Sequence, residues 1–434
     1  MKSKLLYILF FLFFGAASFS QEVLTLDQAV GFALQKNFDI LISRNDSLIA
    51  SMNNSTGNAG MLPKVSLNLG DNYSLNNVNQ ELNSGSEINK TNAGSNALNA
   101  SVVLNWTLFD GMKMFANREK LKSLEEQGQL NLKNKIQKTI GAVIVAYYNV
   151  VYQKQQIKVQ EQINKISEER VKLGSLRFEN GSSSKAEMLQ AKVDLNAGKA
   201  ALLQLNTMLL QKKTGINQLI GQNAEADFDV SDEIPINLGL NLNDLLSKSA
   251  SGNFSVLISE NYLKISQTSR KEVNAQRLPT VSFSAAYNYQ YTKNDAGLIL
   301  LNNTLGPSVG ISVTIPLFNG FNATRQVKTA TIDILSRQTE LEKIKLQVSN
   351  EVFNAFKSYS LHLEALKLEE ENITLAQENL DLSLARIKLS QATSLEVITA
   401  QNSLVAAYNR LLAAKLNAKI AETELLILSG ELMK

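Results

Sequence analysis

Four segments of the chain alternate between apolar and polar residues with the two-residue period of a β-strand. In the third segment, apolar or aromatic residues at odd positions from Val281 to Tyr291 alternate with Ser, Ala, Asn and Gln. Charged residues are absent from all four segments apart from Asp71. The pattern predicts strands at residues 65–75, 98–108, 281–291 and 309–317.

These strands fit a membrane-spanning sheet better than a half-buried sheet of a soluble protein. Three of them have 11 residues and one has 9, and about 9–11 tilted residues cross a bilayer. A soluble sheet usually carries Lys or Glu on its wet face, whereas small neutral residues suit the lumen of a barrel. Aromatic residues near the strand ends are candidates for the girdles at the two membrane surfaces: Tyr73, Trp106, Phe109, Tyr291, Phe318 and Phe321.

The connections within the two strand pairs are predicted to be long polar loops, at Asn76–Ala97 and Thr292–Ser308. Four strands cannot close a barrel, and an open sheet edge is not tolerated in lipid. We therefore expect copies of the chain to assemble, with eight strands in a dimer or twelve in a trimer.

Each strand pair is followed by a long stretch with the three- and four-residue apolar spacing of a helix. Residues 112–176 and 323–386 show this spacing, and none of the five prolines falls within them. About 65 residues of helix form a rod of roughly 100 Å. A turn and a further helix follow each rod, so we predict antiparallel helical hairpins at 112–220 and 320–429.

The two halves of the chain are an internal repeat. Leu62-Pro63 recurs as Leu278-Pro279 at an offset of 216, and Phe109-Asp110-Gly111 recurs as Phe318-Asn319-Gly320 at an offset of 209. The offset changes only between the two strands of a pair, and the second offset holds through both helical hairpins. We predict a first repeat at 21–221, a linker at 222–239 and a second repeat at 240–434.

Composition excludes several kinds of chemistry. The chain of 434 residues has no Cys, one His (His362) and a net charge of +3. Thiolate metal sites, iron–sulfur clusters and cysteine nucleophiles are therefore excluded, and nothing favours nucleic-acid binding. We predict no enzyme, no cofactor and no metal site.

The N-terminus has the charged, apolar and small-residue order of a secretory signal peptide at residues 1–20. The apolar run at 5–14 is too short to span a bilayer as a helix. The alternative is that this segment is retained as an N-terminal anchor.

Several motifs together resemble the TolC-type outer-membrane efflux proteins. They are Leu24-Thr25-Leu26-Asp27-Gln28-Ala29, the Leu-Pro pairs before the strands, the Leu-Phe-Asp/Asn-Gly junctions after them, and Arg177-Phe178-x-x-Gly181 followed by Glu187-Met188-Leu189. The resemblance covers residues 24–430. It departs from the family at Asn37-Phe38 and Asn253-Phe254, where the family has Asn-Pro, and at Glu187 and Glu396, where the family usually has Asp.

The resemblance implies a mixed α/β membrane protein that forms a homotrimer. Four strands from each chain would form one twelve-stranded outer-membrane β-barrel, continued by a twelve-helix α-barrel across the periplasm of a Gram-negative bacterium. It also implies a channel of a tripartite exporter, which passively conducts substrates. Its partners would be a periplasmic adaptor protein, an inner-membrane pump and outer-membrane lipid.

In the family the turns of the helical hairpins meet the adaptor. The resemblance assigns this role to Arg177, Gly181, Glu187, Arg386, Ser390 and Glu396. Ser390 stands where the first turn has Gly181, so the two turns are expected to bind the adaptor unequally. No Asp ring is evident for a closed entrance.

A structural or adhesive outer-membrane coiled coil without a transport role is the alternative. The duplicated strand pair and the equal-length hairpins favour the channel, since an adhesive stalk needs no second strand pair. Drugs, metal ions and secreted proteins are all open as the substrate.

Overall fold

The computed structural model describes residues 23–389 and 391–433. The predicted signal peptide at 1–20 and the turn residue Ser390 lie outside them. The chain folds as eight helices and four strands within these residues. In chain order they are α1 (Leu26–Lys36), α2 (Phe38–Asn53), β1 (Lys64–Glu81), β2 (Glu87–Asp110), α3 (Lys113–Glu179), α4 (Lys185–Leu219), α5 (Leu242–Gly252), α6 (Phe254–Ala275), β3 (Thr280–Asn294), β4 (Leu301–Thr314), α7 (Asn322–Lys388) and α8 (Ser394–Ser429).

The helix boundaries follow the internal repeat. Thr25 caps α1 with a capping box to Gln28, and Asn241 caps α5 at the equivalent position. The long helices α3 and α7 have 67 residues each, and their ends are related by the offset of 209. No helix among the described residues is both long and apolar enough to cross a membrane.

The chain divides into two compact units that do not coincide with the two repeats. The helical unit comprises the described residues up to Asn45, residues 130–257 and residues from Lys343 onward; the strand unit comprises residues 46–129 and 258–342. Each unit therefore draws elements from both halves of the sequence.

The core of the helical unit is formed where α1, α3, α4 and α8 meet. Val143, Tyr147 and Val150 of α3 are buried there against small residues of α1 and against Ile216 of α4. A fully buried aliphatic side chain contributes about 1.5–3 kcal/mol relative to an exposed one. This face of α3 is therefore fixed to the short N-terminal helix.

The segment between the repeats packs on this core. Phe228 and Val230 are buried in the same cluster. The Ser231 N–H donates a hydrogen bond to the Tyr147 hydroxyl at 3.3 Å, and Lys154 forms an ion pair with Asp229 at 2.6 Å. The segment at 222–239 is thus anchored by apolar burial as well as by charge.

The strand unit contains one antiparallel sheet in the order β1-β2-β3-β4. Its strands are longer than the alternation predicted. The predicted loop Asn76–Ala97 is wrong: β1 continues to Glu81 and β2 begins at Glu87, which leaves residues 82–86 as the turn. Asn- and Ser-rich sequence indicates a loop by composition, but here each strand pairs with its neighbour, and that satisfies the backbone.

The second strand pair also differs from the prediction. β4 begins at Leu301 instead of residue 309, because it pairs with β3 as far as Lys293. It ends at Thr314 instead of residue 317, since Thr314 faces Thr280, the first residue of β3. Beyond that pair this chain offers β4 no partner among the described strands, and Pro316 has no N–H to donate.

Candidate functional site

The register of the sheet brings the four apolar alternations to one face. Leu67, Val102, Tyr287 and Pro307 form one row across the four strands. The next row, on the opposite face, is Asn68, Ser101, Asn288 and Gly306. Within the four predicted segments the sheet therefore has one face that is apolar apart from Asp71, which pairs with Leu98, and one neutral polar face.

The apolar face has exposed side chains on all four strands. They include Val65, Leu67, Leu69, Tyr73, Leu75, Val102, Tyr287, Leu305, Val309, Ile311 and Val313. Soluble monomers rarely expose a contiguous apolar patch of more than a few hundred Å². This face therefore needs an apolar medium or a partner to cover it.

A β-bulge decides the position of one predicted girdle residue. Thr107 pairs with Ser282 and Phe109 pairs with Val281, so Leu108 is the extra residue. The bulge moves Phe109 to the face that carries Trp106. Simple alternation would have placed Phe109 on the polar face.

Trp106 and Tyr73 are also on the apolar face. Trp106 is 40% exposed, and its indole N–H donates to the Met61 carbonyl at 3.0 Å. An aromatic body with a satisfied polar end suits a membrane interface. Tyr291, on the same face, pairs with Leu98.

The junctions between strand and helix expose further apolar side chains. Phe318 and Phe321 form an edge-to-face pair with ring centroids 5.3 Å apart, and both are exposed. Phe321 has a φ of 59°, and Met112, its equivalent in the first repeat, has a φ of 71°. Bulky residues rarely adopt this conformation. Met112 was missed in the sequence, although the offset of 209 links it to Phe321.

The first hairpin turn is closed by a Schellman motif. Ser182 N–H donates to the Arg177 carbonyl at 2.8 Å, and Gly181 N–H donates to the Phe178 carbonyl at 3.0 Å. Gly181 has a φ of 71°, which only glycine adopts without cost. The predicted residues Arg177 and Gly181 therefore lie together in this turn.

The second turn contains the equivalent of the bond between Ser182 and Arg177. Gln391 N–H donates to the Arg386 carbonyl at 2.9 Å. The Arg386 guanidinium returns a bond to the Gln391 carbonyl at 3.0 Å and lies 3.5 Å from the Glu396 carboxylate. Arg386 and Glu396 thus hold their own turn. Hydrogen bonds from the Thr393 N–H and hydroxyl, together with the Arg386 charge, lower the pKa of Glu396.

Glu187 connects the two hairpins. It accepts a hydrogen bond from the Ser183 hydroxyl at 2.5 Å and another from the Ser394 hydroxyl at the start of α8. These bonds and the Arg177 charge lower the pKa of Glu187, against the opposing effect of burial. The carboxylate is therefore the stable form at neutral pH.

A cavity of about 380 Å³ lies beside Glu187, between the two hairpins. Arg177 lines it, and the Arg177 Nε is buried with no hydrogen-bond partner among the described residues. Apolar side chains such as Leu173 and Ile387 complete the wall. The two turns therefore differ, because the Arg386 guanidinium is bonded within its turn while the buried Arg177 Nε has no such bond.

The sequence did not single out a buried polar network near the turns. The Arg170 guanidinium donates to Gln401 at 3.1 Å and pairs with Asp194 at 3.0 Å, and Gln401 donates to Ser167 at 3.0 Å. Gln401 follows the buried Val397 and Ala400 on the same helical face. This polar residue on an otherwise apolar helix face was the feature of the sequence that could have indicated the network.

Within the described residues, no group of three or more His, Asp or Glu side chains is arranged to hold a metal ion. The features that stand out are thus the two-faced sheet and the two hairpin turns.

Comparison with known proteins identifies the chain. The family model described as outer membrane efflux protein matches residues 30–222 and 245–431. The chain belongs to this family. Its function is that of an outer-membrane efflux channel, and its location is the outer membrane of a Gram-negative bacterium, as predicted. Proteins of this family are efflux channels, so the alternative of an adhesive coiled coil without a transport role is not supported.

Relatives and solved structures agree with this assignment. The outer membrane efflux protein BepC of Brucella suis biovar 1 (strain 1330) is 22% identical over 334 residues, which cover 76% of this chain and 72% of that protein. The outer membrane protein VceC of Vibrio cholerae superposes with a TM-score of 0.74 at 17% identity, over 93% of this chain and 96% of that one. The CmeC outer membrane channel of Campylobacter jejuni gives 0.76 at 14% identity, over 96% and 91%. The predicted fold class of the efflux protein is confirmed.

Proposed function

We propose that this efflux protein acts as a homotrimer in which three four-stranded sheets form one twelve-stranded barrel. The observation that carries the proposal is the two-faced sheet. Its exposed apolar face suits outer-membrane lipid, and its neutral polar face suits a water-filled lumen. Both edges of the sheet are unpaired within the described chain, and closure of a ring would remove them.

The polar face also favours passive conduction. On β1, β2 and β3 this face carries Ser, Asn, Thr, Gln, Gly and Ala, and Val103 is the one exception. This holds for the paired residues between Ser66 and Thr107 and between Ser282 and Thr292. Such a surface provides weak hydrogen-bonding groups and no fixed charge that would hold a substrate tightly. The barrel would let substrates of different charge pass, driven by the partners at the periplasmic side.

The partners in this proposal are a periplasmic adaptor protein and an inner-membrane pump. The hairpin turns with Arg177, Gly181, Glu187, Arg386, Ser390 and Glu396 are the proposed adaptor contacts. The partly exposed Arg177 side chain, which lines a cavity beside the turn, supports this role, since a guanidinium can donate to backbone carbonyls of a docked hairpin. The repeats at 21–221 and 240–434, joined by 222–239, would each supply one such turn.

Deletion of the gene tests the channel function. The deletion strain should become more sensitive to several toxic compounds or lose secretion of a protein, and the wild-type gene should restore the phenotype. If neither sensitivity nor secretion changes, the proposed transport function is wrong.

Charge reversal at the turns tests the adaptor contact. The variant Arg177→Glu/Arg386→Glu should lose cross-linking to the adaptor while the trimer persists by native mass spectrometry. Lys199→Glu serves as the matched control, because Lys199 is an exposed cation on α4 away from the turn. Undiminished cross-linking of the double variant would refute the assignment of these arginines.

A further inference from the structure

The two outer strands of the sheet each have an edge without a partner strand in the described part of the chain. There β1 pairs only with β2, and β4 pairs only with β3. Their outward N–H and C=O groups need partners, above all where water is excluded. The internal repeat provides a way to derive which residues meet there.

The repeat offsets hold for strand pairing as well as for sequence. Leu67 pairs with Val102 in the first hairpin. Shifting Leu67 by 216 and Val102 by 209 gives Phe283 and Ile311, which pair in the second hairpin. Equivalent residues are therefore opposite each other in both halves.

The same shifts can be applied to the pairing between the halves. Asn99 of β2 pairs with Gln290 of β3. The residue equivalent to Asn99 is Ser308 of β4, and the residue equivalent to Gln290 is Ser74 of β1. These two strands lie at opposite edges of one sheet, so they can meet only between two copies.

We propose that β4 of one copy pairs antiparallel with β1 of the next copy, with Ser308 opposite Ser74. This inference rests on the proposed homotrimer and specifies its seam. In this register Val309 lies opposite Tyr73 and both are on the apolar face, while Ser308 and Ser74 are both on the polar face. A slip of one residue would place polar side chains on the apolar surface.

A second observation supports this seam independently. β2 continues beyond Asn105, its last residue paired with β1, through residues 106–110, of which all but the bulged Leu108 pair with β3. The equivalent residues of β4, 315–319, are not a strand. Their partners under the proposal would be residues 64–67 of the next copy, which the isolated chain lacks.

The residues around the end of β2 are also more buried than the equivalent residues after β4. Phe318 is 75% exposed, whereas its equivalent Phe109 is partly buried. Gly320 is exposed and Gly111 is buried. A Cβ on Gly111 would lie 2.5 Å from the Ala275 carbonyl oxygen and 2.6 Å from the Leu278 Cβ, whereas the nearest described atom to a Cβ on Gly320 is the Asn322 Nδ2 at 3.8 Å.

The residues that would cover Gly320 are present at the other edge. Shifting Ala275 and Leu278 back by 216 gives Ala59 and Leu62, which are the same residue types. Residues 59–62 of the next copy would therefore cover the junction at Gly320. We expect residues 315–319 to extend β4 when this happens.

Cysteine cross-linking tests the register, because the chain has no cysteine of its own. Asp295 N–H donates to the Gly94 carbonyl at 2.9 Å. Since hydrogen-bonded and non-hydrogen-bonded pairs alternate, Asn99 with Gln290 is a non-hydrogen-bonded pair, and so is Ser308 with Ser74. Such pairs have Cβ atoms about 4.5–5.5 Å apart, close enough for a disulfide after small adjustment.

The variant Ser74→Cys/Ser308→Cys should form a covalent trimer on a non-reducing denaturing gel and return to monomer on reduction. Within one copy the two positions are separated by three strand spacings, about 14 Å, so a bond within the chain is excluded. A second pair in the same register, Gly70→Cys/Ser312→Cys, should behave alike. The displaced pairs Ser74→Cys/Gly306→Cys and Ser74→Cys/Gly310→Cys are the matched controls.

The outcomes separate this inference from the proposed function. Preferential cross-linking of a displaced pair would overturn the register while leaving the trimer intact. Absence of cross-linking in all pairs, with wild-type trimer and efflux retained under reducing conditions, would overturn the seam alone. A wild-type protein that is monomeric by native mass spectrometry and without effect on efflux would overturn both.

Discussion

Arg170 of α3 donates a hydrogen bond from its guanidinium to the side-chain oxygen of Gln401 on α8, at 3.1 Å. The Arg170 side chain is only 8% exposed, and it also pairs with Asp194 of α4 at 3.0 Å. One buried cation therefore links three helices of the helical unit. A buried charge is costly unless its donors are satisfied, so this link fixes how the two hairpins pack.

We expect Arg170→Gln to lower the free energy of unfolding by about 1.5–3 kcal/mol, the usual range for hydrogen bonds to charged groups. The change removes the ion pair and leaves the Gln401 side-chain oxygen without its Arg170 donor, while Asp194 keeps its hydrogen bond from Gln190 at 2.8 Å. Denaturant unfolding followed by helical circular dichroism measures the effect.

The matched control for this change is Lys199→Gln. Lys199 and Glu168 are 3.9 Å apart and both about half exposed, so its loss should change stability by less than about 0.5 kcal/mol. Equal effects of the two variants would contradict the structural role of Arg170.

The link between Glu187 and Ser394 should depend on pH. Because hydrogen bonds from Ser183 and Ser394 lower the pKa of Glu187 in the folded chain, the folded state favours the carboxylate. Its contribution is complete above the unfolded pKa of about 4.3 and is lost as the pH falls through the lower folded pKa. Glu187→Gln should therefore lower the Tm at pH 7 and have a smaller effect near pH 3.5.

Thermal melts of both proteins across this pH range measure the difference. Glu179→Gln, which removes an exposed carboxylate at the end of α3, controls for the loss of one negative charge. A Tm difference for Glu187→Gln that stays constant down to pH 3.5 would be incompatible with the predicted linkage.

The single tryptophan reports on the apolar face. Trp106 is the only tryptophan of the chain, and it is exposed on that face. In liposomes its fluorescence should be quenched by lipids with brominated acyl chains, because the indole would lie at the membrane interface. Fluorescence spectroscopy after reconstitution measures this quenching.

Trp106→Phe supplies the background, since it removes the only indole. Quenching by aqueous acrylamide with no effect of brominated lipid would argue against a lipid-facing Trp106.

The two equivalent glycines Gly111 and Gly320 should respond differently to alanine. Both have positive φ, 71° and 65°, so each Gly→Ala change should cost roughly 1 kcal/mol from backbone strain. Gly111→Ala should cost about 1–3 kcal/mol more from overpacking against Ala275 and Leu278. Unfolding midpoints of dissociated protomers in a harsh detergent should therefore be lower for Gly111→Ala.

In the trimer the two variants should become similar, because the next copy would cover Gly320 as this chain covers Gly111. Midpoints measured in a mild detergent test this point. If Gly320→Ala is still much less destabilising than Gly111→Ala in the trimer, residues 59–62 of the next copy do not pack against Gly320 as proposed.

Much of the fold could be predicted because it depends on local periodicity. The alternation from Val281 to Tyr291 identified a strand with one apolar face, and the proline-free stretches identified α3 and α7. The loop Asn76–Ala97 was wrong because composition alone does not show that a neighbouring strand is available. Arg177 and Gly181 could be placed in one turn from their spacing, whereas the bond between Glu187 and Ser394 joins residues far apart in the chain.

The sequence by itself determined the strand faces, the long helices, the duplication and the family. Side-chain periodicity and repeat offsets are written in the order of residues, so they need no knowledge of contacts. Only the tertiary structure decided the register of the sheet, the bulge that turns Phe109 to the apolar face, and the Arg170–Gln401 link between hairpins. Each of these features depends on which distant residues are brought opposite each other. Unpaired backbone groups and buried charges cost free energy, and only the packing of distant residues supplies the partners that remove this cost.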